Sequence, residues 1–149
     1  GGLLALTENP QERDKLLNDP SLIANATDEM LRWVSPVIYF RRTATKDTEI
    51  RGQKIEEGQK VAMWYGAANR DEEIFKESQK FLVDRENANK HLAFGAGQHL
   101  CLGNQLGKMQ IRVLFEELLK AYPNMHSVSE PVRVSSNFLD AISDLQVNS

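Results

Sequence analysis

The chain has 149 residues, 41% of them hydrophobic and 26% charged, enough for one domain with a packed core and unlike the composition of a disordered chain. Its 18 Lys+Arg against 21 Asp+Glu leave a net charge of −3 with no block of either sign, which excludes a basic nucleic-acid arm and an acidic tail. No apolar run approaches the roughly 18 residues of a membrane span, and a single cysteine excludes an internal disulfide framework.

The opening "GGLLAL" reads as the end of a helix, without an initiating methionine or the basic flank of a secretion signal. The expectation is a fragment of a longer, cytoplasmic protein. "NPQERDKLLNDP" predicts a second helix with Pro10 in its first turn and Asp19-Pro20 as its stop. In "SLIANATDEMLRWVS", Leu22, Ile23, Ala26, Met30, Leu31 and Val34 recur at helical spacing up to Pro36. Strands follow in "VIYFRRTAT" and "TEIRGQKIEEGQKVAMWY", with Arg51-Gly52 and Glu57-Gly58 as turns. The apolar run of "VIYF" is the pattern of a strand buried on both faces.

"ANRDEEIF" predicts one or two helical turns, and residues 76–93 show no sustained period, a long irregular stretch of the kind that is usually functional. From Cys101 a helix returns, with Leu102, Leu106, Met109, Val113, Leu114 and Leu118 marking one face up to Pro123. The tail "VRVSSNFLDAISDLQV" predicts short strands around a turn. The sum is a mainly α fold with small β-sheets, an α+β class.

The lone thiol stands in "FGAGQHLCLG", residues 94–103. Gly95-x-Gly97-x-x-Leu100 lacks the third glycine of a dinucleotide loop, and no Gly-Lys-Ser/Thr follows. A zinc site fails for want of a second thiolate, since only His91, His99 and His126 could assist Cys101. A nucleophilic pairing with His99 requires the loop to fold back, and a small buried hydrophobe beside a glycine turn is the plain alternative.

A thiol in the first turn of a helix lies at the positive end of the macrodipole, which favours thiolate and makes it a ligand. Glycines at 95 and 97 permit positive φ and leave room for a large flat partner. Phe94 is placed to cover the sulfur side of that partner, and His99 to donate to an acidic group at its edge. Those requirements are the ones an iron porphyrin makes.

The stretch resembles the haem-binding signature of the cytochrome P-450 family, with its fixed positions filled by Phe94, Gly95, Gly97, His99, Cys101 and Gly103. "EMLR" is similar to the family's Glu-x-x-Arg motif at Glu29 and Arg32, and "FLVDR" resembles the segment that adds a third partner, Arg85. The resemblance spans nearly the whole chain and covers the carboxy-terminal third of that family's haem domain. It implies Cys101 as axial iron ligand of haem b, Glu29–Arg32–Arg85 as a structural network, and Arg42 with His99 as propionate contacts. Val37, Ile38 and Phe40 then line the substrate pocket, joined by Phe138 and Leu139, whereas Arg41 reads as a surface charge.

The same resemblance implies a bacterial haem-thiolate monooxygenase that inserts one oxygen atom of O2 into a C–H bond of an alkane, terpene or steroid-like substrate. Electrons would come from NAD(P)H through a ferredoxin, for which Lys108 and Arg112 are candidate docking charges. The family's oxygen-activating acid and alcohol are expected upstream of Gly1, so no catalytic residue is assigned here, and the 149 residues alone are expected to hold haem weakly. Where the family often has Leu-Ala-Arg after the cysteine, this sequence has Leu106-Gly107-Lys108. The alternative is a haem-thiolate binding or sensor module without oxygenase chemistry.

Overall fold

The protein is represented by a computed structural model that describes residues 1–148. Helices α1 (Gly2–Glu8) and α2 (Pro10–Asn18) meet at Asn9, whose N–H and side-chain amide both donate to the Ala5 carbonyl. Pro10 opens α2, where its missing N–H costs nothing. Helix α3 (Ile23–Val34) buries Ile23, Ala26, Met30 and Leu31 on one side and stops at Ser35, which adopts a left-handed φ of 46°. Pro36 disfavours a further helical residue before it, and the Ser35 hydroxyl donates to the Arg32 carbonyl at 2.9 Å.

Strand β1 (Tyr39–Thr43) pairs antiparallel with β4 (Lys60–Trp64). Between them lies a hairpin of β2 (Thr48–Ile50) and β3 (Gln53–Ile55), turned by Arg51 at φ 48° and Gly52 at φ 80°, the two positive-φ residues of a tight hairpin turn. A single helical turn, α4 (Tyr65–Ala68), follows β4 directly. It ends at Ala68, so the helix expected over "ANRDEEIF" is not formed there: residues 69–75 make turns.

Residues 76–93 are irregular apart from one short 3₁₀ turn at Ala88–Lys90, as their aperiodic pattern predicts. They lead through the cysteine loop to α5 (Asn104–Ala121). The chain closes with β5 (His126–Ser127) on β8 (Val147–Asn148) and β6 (Val132–Arg133) on β7 (Ile142–Asp144).

The core gathers Ala5, Leu6, Leu16, Ile23, Ala26, Met30, Phe81, Val83, Phe115 and Leu119 between α1, α2, α3, α5 and the irregular segment. Each large member contributes roughly 1.5–3 kcal/mol by leaving water. Two sequence expectations are corrected. "VIYF" is not buried on both faces: Val37, Ile38 and Tyr39 are half-buried and Phe40 is 40% exposed, because an apolar run does not by itself fix which faces are covered. Of the predicted face, Leu106, Met109, Val113 and Leu114 of α5 are exposed, as is Leu102 ahead of the helix, and only Leu118 packs, beside Phe115, Leu119 and Ile111. Apolar residues occupy more than one side of α5, so spacing alone does not identify the packed side.

Candidate functional site

The irregular segment is held from inside by α3. Glu29 and Arg32 are both fully buried, and their carboxylate and guanidinium meet in a fork at 2.7 and 2.8 Å. Arg85 joins from the irregular segment, its Nε donating to both Glu29 oxygens at 3.0 and 3.2 Å, while the Leu82 N–H donates to Glu29 Oε1 at 2.9 Å.

The rest of the two guanidiniums goes to backbone. Arg32 donates to the carbonyls of Asn69, Ser78 and Lys80, and Arg85 to those of Lys76, Glu77 and Lys80. All five donors of Arg32 are used. A segment without helix or strand bonds can lie in the interior here because arginine supplies the donors its carbonyls require.

That segment delivers the chain into the loop around Cys101. Gly95 and Gly97 take φ of 73° and 63°, the left-handed region in which a side chain is strained. At Gly95 a Cβ would stand 3.2 Å from the His99 carbonyl oxygen and 3.3 Å from the Tyr65 hydroxyl, so the backbone is cradled where only glycine fits. The Cys101 N–H donates across the loop to the Phe94 carbonyl at 2.9 Å, and the Cys101 carbonyl accepts the Asn104 N–H at 3.2 Å and its side-chain amide at 2.6 Å.

Cys101 is exposed and free. It does not lie in the first turn of α5, as its spacing suggested: Gly103 caps the helix, and the sulfur stands just ahead of that end. Gly107 lies under Phe94, whose ring edge is 3.4 Å from where its Cβ would be.

On one flank of the loop is a cleft of about 320 Å³. Met63, Trp64, Tyr65 and Ala68 form its apolar wall, Leu92, Gly95 and Ala96 its loop side, and Arg42 and His99 line it from β1 and the loop respectively. Among the described residues no three of His, Cys, Asp and Glu converge, so His91, His99 and His126 do not gather around the sulfur. One exposed soft donor on a glycine-cradled loop, an apolar wall and two basic side chains on a shared cleft form a donor set that fits an iron porphyrin with carboxylates at its rim.

Comparison with known proteins decides the family: the family model for cytochrome P450 matches residues 7–139, which include the network, the loop and Cys101. The chain belongs to the cytochrome P450 family. It is 43% identical over 97% of its length to linalool 8-monooxygenase of Pseudomonas putida, and 45% identical over 98% to a methyl-branched lipid omega-hydroxylase of Mycobacterium bovis. Those alignments cover 36% and 34% of the two relatives, so the chain spans about a third of their length.

Among solved structures, cytochrome P450 CYP268A2 of Mycobacterium marinum in complex with pseudoionone matches with a TM-score of 0.94 at 40% identity, over 99% of this chain and 36% of that one. Cytochrome P450-153 from Novosphingobium aromaticivorans matches at 0.92 and 44%, over 99% and 37%. The cofactor of this P450 family is haem, and the mixed fold of helices and small antiparallel sheets is that of its carboxy-terminal part.

Within this P450 chain the sequence-assigned residues fall into two groups. Glu29, Arg32 and Arg85 are in mutual contact, and Arg42 and His99 share the cleft. Arg42 also stacks its guanidinium 5.9 Å from the Phe40 ring centre, while Arg41 is exposed. Phe40 meets Phe138 edge-on at 5.3 Å, and Val37 forms an antiparallel bridge with Leu139, which joins the start of the β1 segment to the C-terminal turn. Ile38 lines a cavity together with Trp33, Val34 and Arg70.

Lys108 is not a free docking charge, because its Nζ is paired with Asp28 at 2.5 Å; Arg112 lies 3.5 Å from Glu116 and is half exposed. Sequence reading missed Asn69, which is fully buried. Its side-chain amide donates to the Ser35 hydroxyl, its side-chain oxygen accepts the Leu92 N–H and its carbonyl accepts from Arg32. Its partners are 23 to 37 residues away, so no local pattern marks it. Among the described residues no helix is long and apolar enough to cross a membrane.

Proposed function

We propose that residues 1–149 are the carboxy-terminal part of a single haem-binding domain and that the whole protein is a haem-thiolate monooxygenase. It inserts one oxygen atom of O2 into a C–H bond of an apolar substrate, and Cys101 would be the protein's sulfur ligand to the iron of haem b. The observation that carries this reading is the exposed sulfur of Cys101 on a loop bent by Gly95 and Gly97, beside a cleft that holds both Arg42 and His99.

When bound, the cofactor supplies oxygen activation, and thiolate ligation is what favours O–O cleavage. The chain's own residues have simpler tasks. Cys101 would present its exposed sulfur to the iron. Gly95, Gly97 and Gly103 keep side chains out of the approach, and Phe94 covers the sulfur side against Gly107. Arg42 and His99 hold the propionates and so orient the ring. Glu29, Arg32 and Arg85 fix the segment that carries the loop.

For the substrate we infer an alkane, terpene or steroid-like molecule, with Phe40 and Phe138 as one apolar wall. The reading is supported by relatives named for linalool, a methyl-branched lipid and steroid C26. We infer further that electrons come from NAD(P)H through a ferredoxin in the cytoplasm, with Arg112, the more exposed of the two candidate docking charges, as the better placed.

The test is the carbon-monoxide difference spectrum of the reduced full-length protein and of Cys101→Ser. A red-shifted thiolate-type band in the first and its loss in the second is expected; identical spectra overturn the ligand assignment. A thiolate-type band without product from any apolar substrate in the presence of ferredoxin and O2 would leave a binding or sensor module in place of the enzyme.

A further inference from the structure

Helix α3 grips the cysteine loop at a second place. Asp28, next to Glu29, directs one carboxylate oxygen at two partners: Nε2 of His91 at 3.1 Å and Nζ of Lys108 at 2.5 Å. The two partners stand on opposite sides of Cys101 in the chain, one before the loop and one on α5 after it.

His91 is buried, and its Nδ1 accepts the Ala93 N–H at 3.1 Å. A backbone N–H can only donate, so Nδ1 is bare and the ring hydrogen is on Nε2, facing Asp28. The carboxylate on one side and the backbone on the other therefore select one tautomer. Burial alone would push the Asp28 carboxyl up, but the hydrogen bonds from His91 and Lys108 prevail and hold it below the usual carboxylate value.

The loop's internal bonds set its shape and not its place. Gly95 N–H to Leu92, Leu100 N–H to Gly97 and Cys101 N–H to Phe94 all close within residues 92–101. Placement against α3 must come from elsewhere. Asn69 supplies one tie through Leu92, and Asp28 supplies ties on both sides of the sulfur.

We infer that Asp28 is a positioning residue for Cys101: through His91 and Lys108 its carboxylate clamps both ends of the cysteine loop to α3 and so fixes where the sulfur stands. The inference rests on Cys101 being the iron ligand proposed above. Charge-assisted bonds to a carboxylate with only 16% of its side chain exposed are strong enough to matter.

The experiment compares the full-length holoprotein with Asp28→Ala, Asp28→Asn, Lys108→Ala and Cys101→Ser. It reads amide hydrogen exchange over residues 91–108 and the thiolate-type share of the reduced carbon-monoxide complex. Asp28→Ala should speed exchange in that stretch about tenfold, the loss of a hydrogen bond to a charged group, while residues 76–85 stay protected and the thiolate-type share falls. Asp28→Asn keeps an oxygen for both donors and should lie between Asp28→Ala and the parent. Lys108→Ala should loosen the α5 side alone.

The clamp is overturned if these variants leave both readouts at the parent level, or if residues 76–85 loosen as much as 91–108, which marks general destabilisation. Should Asp28→Ala not fold, Asp28→Asn and Lys108→Ala decide by the same two criteria. If Cys101→Ser retains the parent spectrum, the ligand reading fails, and hydrogen exchange still decides the clamp on its own.

Discussion

The buried junction under α3 and the exposed loop around Cys101 handle polar groups in opposite ways. At the junction Glu29 and Arg32 have no exposure, and every donor of Arg32 is matched to an acceptor. On the loop the cysteine sulfur is exposed and, among the described residues, hydrogen-bonded to no side chain, and Leu100, Leu102 and Leu106 near it are exposed as well. The first region is complete in itself; the second presents a surface with its chemistry unspent. The completed region makes the other useful, because a ligand atom must be held by something that does not itself move with the ligand.

The largest break in this contrast is expected at the junction. Arg32→Ala leaves Glu29 buried with one partner fewer and strands the carbonyls of Asn69 and Ser78, that of Lys80 keeping Arg85, and should cost about 3–5 kcal/mol in urea unfolding of the full-length protein. Arg32→Lys should recover little of it, since an ammonium cannot make the fork to Glu29 and reach three carbonyls. Full recovery by lysine would mean that charge, not geometry, holds the segment.

Next in size is the loop backbone. Gly95→Ala meets both a left-handed φ and close contacts at 3.2 and 3.3 Å, and should cost about 2 kcal/mol while lowering haem retention. Gly58→Ala is the control: its φ is 83°, but nothing lies within 4 Å of the added Cβ, so about 1 kcal/mol is expected and haem retention should not change. Equal effects on haem at the two positions would detach the Gly95 cradle from the site.

A smaller effect separates Asp28 by pH. Its folded carboxyl lies below the ordinary value of 3.8, so the unfolded chain binds its proton first as acid is added. The stability it contributes is therefore present above that value and is lost as pH falls through the lowered one. Urea midpoints followed from about pH 6 to about pH 3 should fall less steeply for Asp28→Asn than for the parent. The smallest effect is expected at the exposed Arg133–Asp140 pair, 2.7 Å apart and about half exposed, where Arg133→Ala should change stability by roughly 0.5 kcal/mol.

Much of this contrast is legible in the sequence where interactions are local. The helical spacing of Ile23, Ala26 and Met30, the Pro10 start and the Arg51-Gly52 turn all act within a few residues, and the structure has the elements they predict. The aperiodic stretch 76–93 is legible only as irregular, since its order comes from Arg32 and Arg85 and from no repeat of its own. The packed side of α5 is illegible because apolar residues stand on more than one of its faces.

The same limit holds for the site. Cys101, its glycines and His99 lie in one short run, whereas Asn69 and the Asp28–His91–Lys108 tie bring together residues far apart in the chain. His91 drew notice in the sequence only as a possible metal ligand; its work with Asp28 becomes visible once α3 is placed against the loop.

The most direct test of the central claim is iron-edge X-ray absorption on the full-length protein and on Cys101→Ser. One sulfur scatterer in the iron's first coordination sphere, absent from the variant, is the predicted result. A sulfur retained in the variant, or none in the parent, would contradict the account.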